Sequence, residues 1–498
     1  MINKAELQDF INKSKTYNLI PTFREIRADL DTPLSIYLKL SKNRYSFLLE
    51  SITGGENLAR YSIIGTNPKK IIKTGDKEEL GNIDPLKIIK DEINSYKVPE
   101  IEELPVFTGG AVGYLSYETI SYFEKSVPKN KKSTLDVPES IFMITDSIVV
   151  FDHVKQTIFI VNYAKIDEDK NIENIYKESL EKIEEIYKLI KEPIPKEHNN
   201  ISSISNDDKK TKDQLISQYE KNMTKKDYGA AIKKCIENIY SGEIIQIVFS
   251  QRLTKKTEAS AIDIYRCLRT INPSPYMFML NFEDFQIIGA SPELLVKSTD
   301  KEIAVHPIAG TRPRGKDQEE DDQIAKELIS DEKELAEHLM LLDLGRNDVG
   351  RVSKPGTVNV NQKMEIEKYS HIMHIVSNVT GTLDDKYDEF DALRAAFPAG
   401  TVSGAPKVRA MQLISELEPD KRGPYSGGVG YFSFNGNMDT CIAIRTMVLK
   451  DKTVYLQAGG GIVADSKVDY EYEETLNKMM ALIKSVDDAE RNLKWLFY

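Results

Sequence analysis

Two stretches far apart in the chain constrain its fold more than anything else in the sequence. In DEKELAEHLMLLDLGRNDVGR, residues 331–351, Glu334 and Glu337 stand three apart in a helical pattern, so both carboxylates leave one face. Leu335, Leu339 and Leu342 fall on an adjoining stripe, which predicts burial of this helix against a core. Near the C-terminus VDYEYEETLNKMMALIK repeats the device: Glu471, Glu474 and Lys478 share a face beside the apolar stripe Tyr472, Leu476, Met479, Met480 and Ile483. Like charges at this spacing cost a helix about 0.2–0.5 kcal/mol, so a compensating cation is expected nearby. With few histidines and no clustered cysteines, two carboxylate-bearing helices suit a hard cation such as Mg2+. A plainer account also fits: Asp331 with Glu334 reads as a capping box and Glu474 with Lys478 as a surface pair. Spacing does not choose between them.

The chain has 498 residues, room for two large domains or about three ordinary ones. A formal net charge of −11 argues against nucleic acid or an anionic membrane as the main partner. A small anionic substrate would then need local cations. Cys235, Cys267 and Cys441 are widely separated and read as reduced structural cysteines. The first twenty residues carry no signal-peptide core, and no apolar run approaches the ~18 residues of a membrane helix, so a cytoplasmic location is expected.

Along the chain, LSIYLKL, YSFLLES, RYSIIGT, SIFMITDSIVVFDH and TIFIVNY read as strands, followed by a helix from Ile172 to Ile190. Residues 1–190 are read as an N-terminal domain, the polar segment 191–222 as a linker, and 223–498 as the main catalytic domain. There, helices at Tyr228–Ile239, Ala261–Thr270 and DEFDALRAAFP (residues 388–398) alternate with strands such as EIIQIVFSQRL, QIIGASPELLVK, MDTCIAIRTMVLK and TVYLQAGGGIV. Such a mixture predicts antiparallel α+β layers.

Gly310–Lys316 has the spacing of a phosphate loop but ends in Asp317, and Pro313 removes an amide, so a nucleotide site is rejected. Gly459–Gly461 either offers amides to an anion or forms a mobile turn. GTVSGAPK, residues 400–407, brings two hydroxyls and a cation to a helix start. Arg445, inside the apolar run CIAIRTMV, needs a carboxylate from the protein or from a substrate. His371 and His374 fall on opposite faces of a strand, and Glu293 ends one. Taken together these features describe a pocket for a small dianion.

PIAGTRPRG, DEKELAEHLMLLDLGRNDVGR, FPAGTVSGAPKVRAM, GPYSGGVGY, AIRTMV, AGGGIVADS and YEETLNK resemble the chorismate-utilising enzymes, most closely the synthase (large) subunit of anthranilate synthase. The likeness runs from about Met223 to Lys484 and reaches the N-terminal third through LLES and RYSIIGTNP. It implies a layered α/β/β/α sandwich of largely antiparallel sheets with a smaller N-terminal portion packed on it. It also implies a lyase that turns chorismate and ammonia into anthranilate and pyruvate through an aminodeoxyisochorismate intermediate, the first step of tryptophan biosynthesis.

Carried over by position, the resemblance puts Mg2+ on Glu337 and Glu474, with Glu334 and Glu471 as neighbouring ligands. Tyr425, Arg445 and the amides of Gly459, Gly460 and Gly461 would hold the enolpyruvyl carboxylate, with Gly310, Thr311 and Thr401 completing the pocket. Glu293 would be the general acid, Lys478 an active-site lysine, and His374 would serve pyruvate elimination. Gln246 stands where hydrating relatives place a lysine, and Ala309 where many aminodeoxychorismate synthases place another. Both residues favour ammonia attack and the ortho product.

Glu50, Ser51, Pro275, Tyr276 and Met277 would form a tryptophan feedback site. Ammonia would come from a glutamine amidotransferase subunit in an assembly of two of each chain. The rivals are an aminodeoxychorismate synthase component I and a non-catalytic tryptophan or chorismate sensor.

Overall fold

The computed structural model describes residues 4–41, 44–51, 60–129, 132–167, 169–196, 210–368 and 372–495. Two antiparallel sheets organise them. One places strand Leu19–Arg27 at one end and runs through Ser46–Glu50, Tyr276–Asn281, Phe285–Ser291, Thr446–Lys450 and Thr453–Ile462 to Gln246–Lys256. The other runs from Ile308–Pro313 and Ile372–Thr382 through Leu294–Thr299, Met438–Ile442, Gly428–Ser433 and Gly110–Leu115 to Lys70–Thr74. Helices cover the outer faces: Lys225–Tyr240, Ala261–Ile271 and Val468–Trp495 on the first, Glu332–Gly350 and Glu389–Ala396 on the second. Between the sheets Tyr114 meets Phe282 and Phe285, and Tyr163 meets Phe434, in one apolar core. The architecture is an α+β sandwich in α/β/β/α layers.

Both sheets take strands from either side of segment 191–222. Met277 pairs with Glu50 in one and Gly428 with Leu115 in the other. Of that segment, residues 197–209 lie outside the described residues. The remainder contains helix Lys212–Ile216, with a Thr211 capping box, and strand Glu220–Lys221.

Three local expectations need correcting. LSIYLKL is not a strand but most of helix Pro33–Leu40: Thr32 accepts from Ser35 N, Ser35 returns the bond, and Pro33 occupies the first turn. QIIGASPELLVK and MDTCIAIRTMVLK each break in two, and the halves lie in different sheets. Leu339 does not join a buried stripe; it is 46% exposed, and the buried face of Glu332–Gly350 runs through His338, Leu341, Leu342, Gly345 and Val349. On the C-terminal helix Tyr472, Leu476, Met479 and Ile483 are buried as their spacing predicts.

Candidate active site

The two broken strands make the site. One crosses between sheets after Ser291 and the other after Ile442, and the crossings are fastened together: Ile442 N donates to Glu293 O (3.0 Å) and Ala290 N to Arg445 O (3.1 Å). Glu293 and Arg445 therefore stand side by side where the sheets part. Arg445 is not inside a strand, as its apolar surroundings suggested. It adopts a φ of 50°, a conformation costly to a non-glycine residue and characteristic of functional positions.

Glu293 is 8% exposed, and burial pushes its carboxyl up to about 7, with Thr401 and Lys478 pulling the other way. Thr401 Oγ1 is buried beside it without a hydrogen bond of good geometry. The Arg445 guanidinium donates to Lys478 O at 2.5 Å, and among the described residues no carboxylate stands within ion-pair distance of it. Burial lowers its pKa, while Tyr425 and Glu474 favour its charge.

The glycine run is a strand, not a mobile turn: Gly459, Gly460 and Gly461 pair with Ser250, Phe249 and Val248. Lys478 Nζ takes the Gly459 carbonyl at 3.0 Å, so the peptide edge of Gly459 turns away from its strand partner. By alternation that of Gly461 does too. Side chains here would crowd the neighbouring groups. A Cβ on Gly459 would lie 2.9 Å from the Tyr425 hydroxyl, one on Gly460 3.3 Å from Glu471 Oε2, and one on Gly461 2.6 Å from Gln246 Nε2.

Above these glycines the acidic helices converge. Glu474 bonds Lys478 at 2.7 Å, and Ser466 Oγ donates to Glu471 Oε1 at 2.7 Å. Glu471 Oε2 is buried with no partner, and burial, with repulsion from Glu474, pushes that carboxyl up to about 7. Glu337 is raised first by burial, then by Glu334, and it also feels Glu474 from the opposite helix, while Gln246 and Lys478 oppose the shift. Like charges held together with an orphaned oxygen fit a cation by charge. Among the described residues, however, no three acidic, histidine or cysteine side chains form a preassembled cage. Glu334 is committed to Arg312 at 2.9 Å, which also pairs with Asp331 at 2.9 Å. Arg312 is the compensating cation that the spacing required, and the sequence reading did not identify it.

On the second sheet Gly310, at a φ of 66°, forms a bulge opposite His374. His374 Nδ1 donates to Gly310 O at 2.9 Å and lies 3.1 Å from the Thr311 hydroxyl. Burial lowers its pKa, the bond to Gly310 opposes that shift, and the charge of Arg445 adds to it. His371 lies outside the described residues. Lys407 is not a site cation; it pairs with buried Asp348 at 2.8 Å.

The inhibitor candidates also meet, because strand Ser46–Glu50 lies beside Tyr276–Asn281. Buried Glu50 accepts from Tyr265 at 2.5 Å and from Arg269 at 3.2 Å, and Tyr276 reaches half-buried Asp439.

A family profile for chorismate-binding enzymes matches residues 44–484. Anthranilate synthase component 1 of Acetivibrio thermocellus is 46% identical over 488 residues, covering 96% of this chain and 97% of that protein. The Pseudomonas aeruginosa protein of the same name is 45% identical, covering 96% of this chain and 97% of its own. The crystal structure of anthranilate synthase component I from Streptococcus pneumoniae superposes with a TM-score of 0.75 at 36% identity, covering 92% of this chain and 99% of that one. The menaquinone-specific isochorismate synthase of Escherichia coli shares the fold at 16% identity, with a TM-score of 0.68, covering 97% and 99%. Among the described residues no helix is long and apolar enough to cross a membrane. The two curated relatives named above, matched nearly end to end, are anthranilate synthase component 1 proteins, and the chain belongs to the chorismate-binding enzyme family.

Proposed function

We propose that this chain is the synthase component of an anthranilate synthase, a lyase that converts chorismate and ammonia to anthranilate and pyruvate. One observation carries the reading: at adjoining sheet crossings stand an arginine with no carboxylate in ion-pair reach among the described residues and a buried glutamic acid whose pKa burial raises to about 7. Chorismate offers one group to each, an enolpyruvyl carboxylate and a ring hydroxyl that must leave.

In this reading Arg445, Tyr425 and the outward peptide edges of Gly459 and Gly461 bind the enolpyruvyl carboxylate. Glu293 donates its proton to the C4 oxygen as ammonia attacks C2, because hydroxide is a poor leaving group. Thr401 steadies that carboxyl. Gly310 and Thr311 line the ring side, and the Gly310 carbonyl orients His374 for loss of pyruvate from the aminodeoxyisochorismate intermediate. Glu337, Glu471 and Glu474 would hold Mg2+, with Glu334 acting from behind Arg312. The bound ion would supply positive charge for the ring carboxylate. Lys478 stands ready to neutralise Glu474 and to fix the Gly459 carbonyl. Ala309 and Gln246 offer neither an amine nucleophile nor a base for water, which favours ammonia. The component 1 names of the relatives support a partner component, which in this reading is a glutamine amidotransferase, in an assembly of two of each chain. The paired strands at Glu50, Ser51, Pro275, Tyr276 and Met277 support feedback by tryptophan, in a cytoplasmic enzyme of tryptophan biosynthesis.

The test is to supply chorismate, ammonium and Mg2+ and follow anthranilate fluorescence together with pyruvate. Equimolar appearance of both is expected. Accumulation of an amino product that retains the enolpyruvyl group, or no turnover at all, would reject the reading.

A further inference from the structure

Glu418 and Arg422 lie outside every motif that drew attention in the sequence, and both are buried, Arg422 to 1% exposure. Arg422 spends all five of its N–H groups. Nε and Nη2 donate to Glu418 at 2.8 and 2.7 Å, and Nη2 also donates to Val248 O at 2.7 Å. Nη1 donates to Val402 O at 2.7 Å and to Ser426 Oγ at 3.2 Å. Glu418 Oε1 accepts in turn from Ser250 N at 2.9 Å and Ser250 Oγ at 2.8 Å.

The tethered points are the neighbours of site residues. Val402 follows Thr401, and Ser426 follows Tyr425, whose ring lies 5.6 Å from the guanidinium. Val248 and Ser250 are the strand partners of Gly461 and Gly459. A buried ion pair is a poor device for stability alone, since apolar side chains of similar volume serve as well or better. Its planar fork, by contrast, fixes several acceptors at set angles, which a lysine's rotating ammonium does not.

We infer that the Glu418–Arg422 pair is a positioning device for the reaction: without touching substrate, it sets the mutual spacing of Thr401, Tyr425 and the Gly459–Gly461 strand. The inference rests on the chorismate reading above. It identifies the element that holds the acid's neighbour and the carboxylate cradle in register.

The test uses the full chain with chorismate, ammonium and Mg2+. Arg422→Lys retains a charge for Glu418 but loses the fork. With its circular dichroism spectrum intact, it should lose about tenfold or more in kcat/KM, as misplacement of reacting groups does. Adding Thr401→Ala to Arg422→Lys should cost less than the product of the two single losses, because the hydroxyl to be positioned is gone. A purely structural role would leave those losses multiplicative. Ser426→Ala and Ser250→Ala each remove one tether and serve if Arg422→Lys fails to fold. Each should lower kcat/KM a few-fold, again less than multiplicatively with Thr401→Ala. Wild-type kinetics in a folded Arg422→Lys protein, or in both serine variants, would overturn the inference. So would losses that multiply with Thr401→Ala. A wild-type protein inert toward chorismate would instead reject the reaction itself, and this inference with it.

Discussion

The amide of Ala290 donates to the carbonyl of Arg445, 3.1 Å away, and so locks one sheet crossing to the other beside Glu293. The acid and the cation are thereby held together by main chain, and each side chain can be removed without dismantling its support.

Arg445→Ala should raise KM for chorismate about 10–100-fold, the worth of a charge-assisted hydrogen bond of about 1.5–3 kcal/mol. The thermal midpoint should scarcely move, since among the described residues no carboxylate is ion-paired with it. Steady-state kinetics beside a melting curve decides it. An unchanged KM would remove Arg445 from the substrate's carboxylate.

Glu293 should set the alkaline limb of the pH profile. Its native pKa, raised to about 7 from an ordinary 4.5, keeps the proton that catalysis needs, so kcat/KM should decline as pH rises through about 7. Stability follows the same sign. Between 4.5 and 7 the unfolded chain releases this proton while the native chain keeps it, so this contribution is full at low pH and is lost as pH climbs through that window. Glu293→Gln should abolish that limb and cost about 10²–10⁴ in kcat. An alkaline limb that survives in Glu293→Gln assigns the acid elsewhere.

Glu474→Ala should leave a folded protein whose Mg2+-dependent turnover is reduced about 100-fold or more, the effect of losing a few kcal/mol of charge stabilisation. Chelation should silence the wild type, and added Mg2+ should restore it. Titration calorimetry gives a second readout, with Mg2+ heat expected in the wild type and absent in the variant. Equal Mg2+ binding by both proteins would take Glu474 out of the ligand set.

Ser51→Ala should relieve inhibition by tryptophan while sparing catalysis, because Ser51 directly follows the strand paired with Tyr276–Asn281 and belongs to the proposed inhibitor shelf, not to the substrate pocket. Inhibition curves for the two proteins make the comparison. Undiminished inhibition would misplace the inhibitor shelf.

Much of this was legible beforehand because helical period and turn chemistry are local. Glu471, Glu474 and Lys478 could be put on one face before any fold was known, and so could the stripe from Tyr472 to Ile483. Pro33 and Thr32 also announced a helix start, but seven residues of LSIYLKL are too few for period to separate helix from buried strand. The crossings were hidden for another reason. GASPELL and CIAIRTMV carry apolar residues on both sides of each break, and although Pro292 and Glu293 mark a strand end, nothing in the pattern shows that the chain changes sheets at Glu293 and Arg445. Arg312 escaped because its partners, Asp331 and Glu334, lie about 20 residues further on, and only the turn of the chain brings them together. Glu418 and Arg422 are four apart on paper, like many exposed pairs, and only burial sets them apart.

The strands contributed by the first third of the chain have a practical consequence for anyone dissecting it. A fragment starting at Met223 would strip the neighbours from Tyr276–Asn281 in one sheet and from Gly428–Ser433 in the other. It would leave two raw rows of amides and carbonyls, the kind of border on which copies of a chain stick to one another. Residues 223–498 are thus not a separable piece of protein.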